Sequence, residues 1–137
     1  MSSRPVVLDA AALLDLLVAR DLGFLLESRV AGAQLHVCAH VDSDVWSSLR
    51  RLERAGVVGS SACERYLASL AAAPIERHPA SHVFERAWRR RHAGWLVDVL
   101  SFELAISLGA SLITTDPRMA DAAGEIVEFV RFGSDQK

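Results

Sequence analysis

The sequence predicts a single α/β domain built on a mostly parallel sheet, and three observations carry that expectation. Short apolar runs are each followed by a helical pattern: PVVLD by AAALLDLLVAR, QLHVCA by HVDSDVWSSLRRLERAG, and SLITTD by PRMADAAG, with EIVEFVRF closing the series. Strands alternating with helices need crossover connections, which give a parallel sheet flanked by helices. The 137 residues fit one domain, 1–137, with room for a continuous core. Apolar residues make up 51% and aromatics only 7%, so that core is expected to be Ala, Val and Leu.

Between the paired strands and helices, helical segments are expected near Ser60 to Ala73, Ser81 to Arg91 and Trp95 to Leu108. Pro74 and Pro79 bound an extended piece, PIERHP. No repeat, linker or low-complexity segment interrupts the pattern.

Composition narrows the classes of function. No run reaches the roughly 18 uncharged apolar residues that a membrane span needs, and the N-terminus carries an acid within its apolar stretch and lacks a small-residue cleavage pattern. A cytoplasmic protein is the expectation. The positive mean hydropathy then points to a surface covered by a partner. Cys38 and Cys63 form no C-x-x-C pair and read as buried thiols. Of the fifteen basic residues fourteen are Arg, and the one lysine is Lys137. Receiver domains and haloacid-dehalogenase-like phosphatases, which use an internal lysine beside the phosphate, are thereby disfavoured. The five histidines, His36, His40, His78, His82 and His92, show no zinc-ligand spacing, and no Ser-His-Asp signature is visible.

The acids are more informative. Asp9 closes VVLD and Asp116 closes LITTD, placing both at carboxyl ends of strands, where open α/β sheets bind ligands. Either also suits a helix N-cap, with Pro117 at a position that tolerates proline. Asp98 lies in AGWLVDVLSFELAISLGASLITT, whose only other charge is Glu103. A helix apolar on nearly every side is buried, and a buried carboxylate needs a partner, a proton or a metal. Glu103 falls roughly 140° around that helix from Asp98, so the two are not expected to share a site. In HVDSDVWSSL, the helical wheel places Val41, Val45, Leu49 and Leu52 within an arc of roughly 80°, with Asp42 and Asp44 on opposite edges. At most one belongs to a site at the core edge, and Asp42 suits a cap.

In this order, strand end, second helix, buried helix and strand end, the four acids resemble the PIN-domain ribonucleases, specifically the VapC-type toxins of bacterial toxin–antitoxin pairs. The likeness runs through VVLDAAALLDLL, HVDSDVWSSLRRL, VDVLSFELAISLGA and LITTDPRMA, and covers nearly the whole chain. It implies a PIN-like three-layer domain with a mostly parallel central sheet, and a metal-dependent endoribonuclease neutralised by a cognate VapB-type antitoxin. By position it places the catalytic acids on Asp9, Asp44, Asp98 and Asp116, selecting Asp44 over Asp42. Asp9, Asp98 and Asp116 become the ligands for Mg²⁺ (or Mn²⁺), with Thr115 or Thr114 as neighbouring hydroxyls. Homodimerisation is a further family expectation. The second acid is Asp where the family usually has Glu, and the residues around Asp98 lack the family's usual polar and tyrosine side chains. A PIN-like RNA- or protein-binding module with weakened or absent catalysis is therefore the competing reading.

An acidic pocket repels RNA unless a metal and a basic rim offset it. Arg50, Arg51 and Arg54, or Arg86, Arg89, Arg90 and Arg91, suit that rim, because the planar guanidinium matches phosphate. Arg89, Arg90 and Thr115 are the candidate substrate contacts, and Trp46, Trp88 or Trp95 suit stacking on unpaired bases. The plainer expectation is a solvated arginine face with the tryptophans in the core.

Overall fold

The structure is a computed structural model that describes residues 3–18, 22–93, 97–122 and 126–131. Five strands, β1 (Pro5–Leu8), β2 (Gln34–Cys38), β3 (Ile75–His78), β4 (Ser111–Thr114) and β5 (Val127–Phe129), form one sheet in the order β3-β2-β1-β4-β5. All four pairings are parallel. Six α-helices are described: α1 (Ala10–Val18), α2 (Leu22–Val30), α3 (His40–Arg54), α4 (Ser60–Ala72), α5 (Phe84–Arg89) and α6 (Val99–Leu108).

Alternation along the strands builds two cores. Val6, Leu8, Val37 and Ile113 face α1 to α4, meeting Ala12, Leu13, Leu26, Val41, Val45, Leu49 and Leu70. Val7, Cys38, Leu112 and Val127 face the other way, against Phe102, Leu104 and Ala105 of α6 and against Met119. The result is the expected three layers. Each fully buried Val or Leu contributes roughly 1.5–3 kcal/mol, so these two layers hold the sheet from both sides.

The chain order positions the site. From β1 the chain proceeds to β2 and β3 on one side, then returns past β1 to β4 and β5. Connections leaving the carboxyl ends of β1 and β4 therefore diverge, and a crevice opens between them. Asp9 follows β1 directly, and Asp116 lies just past β4.

Several elements differ from expectation. After β1 the chain forms two helices, α1 and α2, where one was read. The segment Ser81 to Arg91 is a 3₁₀ turn, Ala80–Val83, followed by α5, and Pro117–Ala122 is also 3₁₀. Helix α6 begins at Val99, with Asp98 as its N-cap accepting the Ser101 N–H. An acid expected inside a helix thus stands at its mouth. Trp95, Ala123 to Glu125 and the chain beyond Arg131 lie outside the described residues. Helix α6 ends at Gly109, whose φ of 61° is the left-handed conformation that glycine adopts without strain. Cys38 and Cys63 are buried free thiols. Among the described residues, no helix is long and apolar enough to cross a membrane.

Candidate active site

Asp9 stands where the last residue of β1 hands over to α1, and it is 4% exposed. One carboxylate oxygen accepts the Ala12 N–H at 2.9 Å, and the other accepts the Thr114 hydroxyl from the neighbouring strand. The same Thr114 oxygen accepts the Asp116 N–H at 2.9 Å, so one hydroxyl couples the two strand-end acids. Burial pushes Asp9 up to about 6, with the charges of Asp98 and Asp116 adding to it and the Thr114 and Ala12 hydrogen bonds opposing it.

Asp98 enters from the opposite layer. Its oxygens accept the Ser101 N–H at 2.9 Å and the Ser101 hydroxyl at 2.6 Å, and His40 Nε2 approaches both at 3.1 Å. Burial alone would raise Asp98, but His40 and Ser101 together hold it below the usual carboxylate range. In return the Asp98 hydrogen bond, with the Cys38 sulfur beside the ring, pushes His40 up to about 10. His40 is thus an imidazolium at neutral pH, a cation set inside a pocket of acids. No local spacing in the sequence marks this role of His40, because its partner Asp98 lies 58 positions away.

Asp116 is held by Arg118, whose guanidinium reaches its two oxygens at 2.8–3.2 Å and whose N–H donates at 2.9 Å. The Arg118 hydrogen bonds keep Asp116 below its ordinary range. Asp44 is exposed on the first turns of α3. Asp9, Asp44, Asp98 and Asp116 all line one open cavity of about 580 Å³, together with His40, Ser47, Ser48, Arg51 and Arg118. The four acids, separated by up to 107 positions from Asp9 to Asp116, converge there.

Asp42 points elsewhere. It accepts Arg77 Nε at 2.6 Å, while the same guanidinium donates to the Leu70 carbonyl at 2.7 Å. The expected cap is not formed, because α3 starts at His40 with no side-chain cap; Asp42 instead ties α3 to β3 and α4.

Other candidates are placed differently from expectation. The Thr115 hydroxyl donates to Asp15 at 2.7 Å, leaving Thr114 as the hydroxyl beside Asp9. Arg90 donates to Glu103 at 2.6 Å and stacks over Phe102, so it neutralises the buried acid within α6. Glu103 and Asp98 occupy separate surroundings. Arg89 lines a groove with Phe84, Trp88 and Arg91 that shares Val97, Val99 and Leu100 with the acid cavity. Among the described residues, the arginines that reach the cavity itself are Arg51 and Arg118. Trp46 and Trp88 are exposed, contrary to the plainer expectation of core tryptophans, because each sits on the outer face of a helix whose inner face is filled by smaller residues.

A family model for the PIN domain matches residues 6–125. The chain belongs to the PIN-domain family. Ribonuclease VapC3 of Mycobacterium tuberculosis is 39% identical over 118 residues, covering 85% of this chain and 86% of that protein. Two crystal structures share the fold of this PIN domain. Mycobacterium tuberculosis VapC20, a Sarcin-Ricin loop cleaving toxin, aligns with a TM-score of 0.64 at 20% identity, over 92% of this chain and 99% of its own. VapBC2 of Rickettsia felis, bound to a DNA fragment from its promoter, aligns with a TM-score of 0.62 at 12% identity, over 93% and 99%.

The cavity of this PIN domain offers the donor chemistry of a hard-cation site. Its donors are carboxylate oxygens, the ligands such ions prefer, and Asp9 is raised chiefly by burial, with the like charges of Asp98 and Asp116 adding to it. Like charges gathered around a buried carboxylate are the condition a bound cation relieves.

Proposed function

We propose that this protein is a metal-dependent endoribonuclease toxin that hydrolyses RNA phosphodiester bonds in the cytoplasm and is neutralised by a VapB-type antitoxin. The observation that carries this reading is the convergence of Asp9, Asp44, Asp98 and Asp116 on one cavity at the crevice between β1 and β4. The 39% identity to a VapC ribonuclease supports the substrate class.

In this reading Asp9, Asp98 and Asp116 would hold Mg²⁺ or Mn²⁺, which would supply charge neutralisation at the phosphate and acidify a water. The chain's own residues do the rest. Thr114 donates to Asp9 and accepts from Asp116, fixing the orientation of both carboxylates. Asp44, on the exposed side of the cavity, orients the attacking water. Arg51 and Arg118 hold phosphates at the rim, and Arg89 extends that rim along the adjoining groove. Trp88, 66% exposed beside that groove, offers a stacking face for an unpaired base.

The same groove supports a protein partner. Phe84, Trp88 and Val97 expose a contiguous apolar surface flanked by Arg89 and Arg91, suited to the apolar and acidic side chains of an antitoxin segment. A homodimer is the assembly expected by family likeness; a monomer in sizing chromatography at micromolar concentration would contradict it.

Induced expression in bacteria tests the reading. Growth arrest that disappears with Asp9→Asn supports nuclease toxicity, whereas arrest unaffected by that change sinks catalysis as its cause. Mapping new RNA 5′ ends after induction identifies the target.

A further inference from the structure

A second cluster of ligating side chains lies away from the acid cavity. In the parallel register of β2 and β3, His36 pairs with Glu76 and Cys38 with His78. Residues two apart share a face of a strand, so His36, Glu76 and His78 project together at the edge of the sheet. His36 Nδ1 lies 2.9 Å from His78 Nε2, and Glu76 places one carboxylate oxygen 3.5 Å from the first nitrogen and the other 4.0 Å from the second.

We propose that His36, Glu76 and His78 form a binding site for Zn²⁺ with an open coordination position toward solvent. Ligand atoms about 2.0–2.1 Å from a tetrahedral ion lie roughly 3.3 Å from one another. The two ring nitrogens stand closer than that, and the Glu76 oxygens, one facing each ring, stand somewhat farther. Seating an ion asks the two rings to part by a few tenths of an ångström and Glu76 to swing inward, which a side chain 60% exposed does freely.

The surroundings support ligation. Gln34 Oε1 lies 3.1 Å from His36 Nε2 and accepts a hydrogen bond from its N–H, so His36 Nδ1 accepts from His78 Nε2, and an ion takes the place of that shared hydrogen. An acceptor on the far nitrogen that fixes the tautomer and ring orientation is the usual companion of a zinc-ligating histidine. His36 is itself 5% exposed, so its ring is held in place by the sheet. Two imidazoles and one carboxylate suit zinc, whereas the all-oxygen acid cavity suits Mg²⁺ or Mn²⁺. None of the three residues lines that cavity. The two sites therefore select different ions, and the zinc site would clamp the edge strand β3 to β2.

The test uses the intact, metal-stripped protein with millimolar Mg²⁺ added to compete for the acid cavity. Zn²⁺ affinity is measured by competition with a chromogenic chelator while the imidazole signals are followed by NMR. The expected result is one equivalent of zinc that shifts His36 and His78 and leaves His40 in place. Glu76→Gln, at an exposed position, is expected to weaken binding at least about tenfold and His78→Gln more, with circular dichroism unchanged. Absence of zinc binding by the folded wild type would overturn the proposal, reducing the cluster to a hydrogen-bonded histidine pair. So would wild-type affinity in folded Glu76→Gln and His78→Gln, or zinc shifting His40 instead.

Discussion

His40 reaches both carboxylate oxygens of Asp98 at 3.1 Å, while Ser101 supplies one N–H and one hydroxyl to the same pair. A carboxylate offers about four acceptor positions, and three donors, with the His40 N–H shared between both oxygens, take most of them. A cation bound by Asp98 must therefore compete with an imidazolium.

Replacing His40 with Ala is expected to strengthen divalent-ion binding. Removing one unit charge at this range is worth roughly 1–4 kcal/mol, or about fivefold to several hundredfold in the Mn²⁺ dissociation constant. Calorimetric titration of wild type and His40→Ala measures it, and equal affinities would remove the competition. The metal-free variant should also lose stability. The raised pKa of His40 contributes stability that is fully present below 6.5 and lost as pH rises through about 10, so the wild-type excess should fade over that interval.

Asp9→Asn should abolish cleavage yet stabilise the metal-free protein. In the folded chain Asp9 stays protonated up to about 6, while the unfolded chain ionises near 3.8. Its contribution is fully present below 3.8 and lost as pH rises through about 6, a difference of about 3 kcal/mol. At pH 7.5 the Asn variant is therefore expected to melt roughly 5–10 °C higher in chelator. An equal or lower Tm would contradict the account of Asp9 as a strained, cation-seeking acid.

Asp44→Glu lengthens a side chain that lines the cavity from α3 by about 1.5 Å. Asp44 acts through the attacking water, whose misplacement by about 1 Å can cost about a hundredfold, and Mg²⁺ holds its waters in stricter geometry, so the longer acid should raise Mg²⁺-supported cleavage more than Mn²⁺-supported cleavage. Equal rates for both proteins in both metals would show that reach is not limiting.

Arg51 and Arg90 should separate function from stability. Arg51→Ala is expected to weaken RNA binding similarly across sequences and to reduce its salt dependence by about one phosphate contact, read from binding measured at several salt concentrations. Arg90→Ala instead strands Glu103, which is 4% exposed, and should cost about 3–5 kcal/mol in urea unfolding. Unchanged stability would mean that Glu103 finds another partner.

Much of the fold is legible in the sequence because apolar runs and helical patterns report burial directly. Asp9 and Asp116 are legible for the same reason: each is the first acid after a strand. Asp98 is legible as a buried acid needing a partner, but the apolar pattern runs through it without marking that α6 begins only at Val99. The wheel separates Asp42 from Asp44 correctly in direction, yet the partner of Asp42, Arg77, lies 35 residues away. His40 and the His36–His78 pair escape notice because their partners are 58 and 42 positions distant. Strand register and layer contact bring them together, and neither leaves a local spacing. Thr114 and Thr115 are adjacent in sequence, and only the structure shows which hydroxyl turns toward Asp9.

The central claim is that this acid cavity cleaves RNA with a divalent ion. Purified protein incubated with total bacterial RNA in Mg²⁺ or Mn²⁺ tests it directly, with Asp9→Asn and a chelator as controls. Discrete fragments that require the metal and vanish with Asp9→Asn are expected. Intact RNA with folded, metal-loaded wild type, or the same fragments from Asp9→Asn, would contradict it.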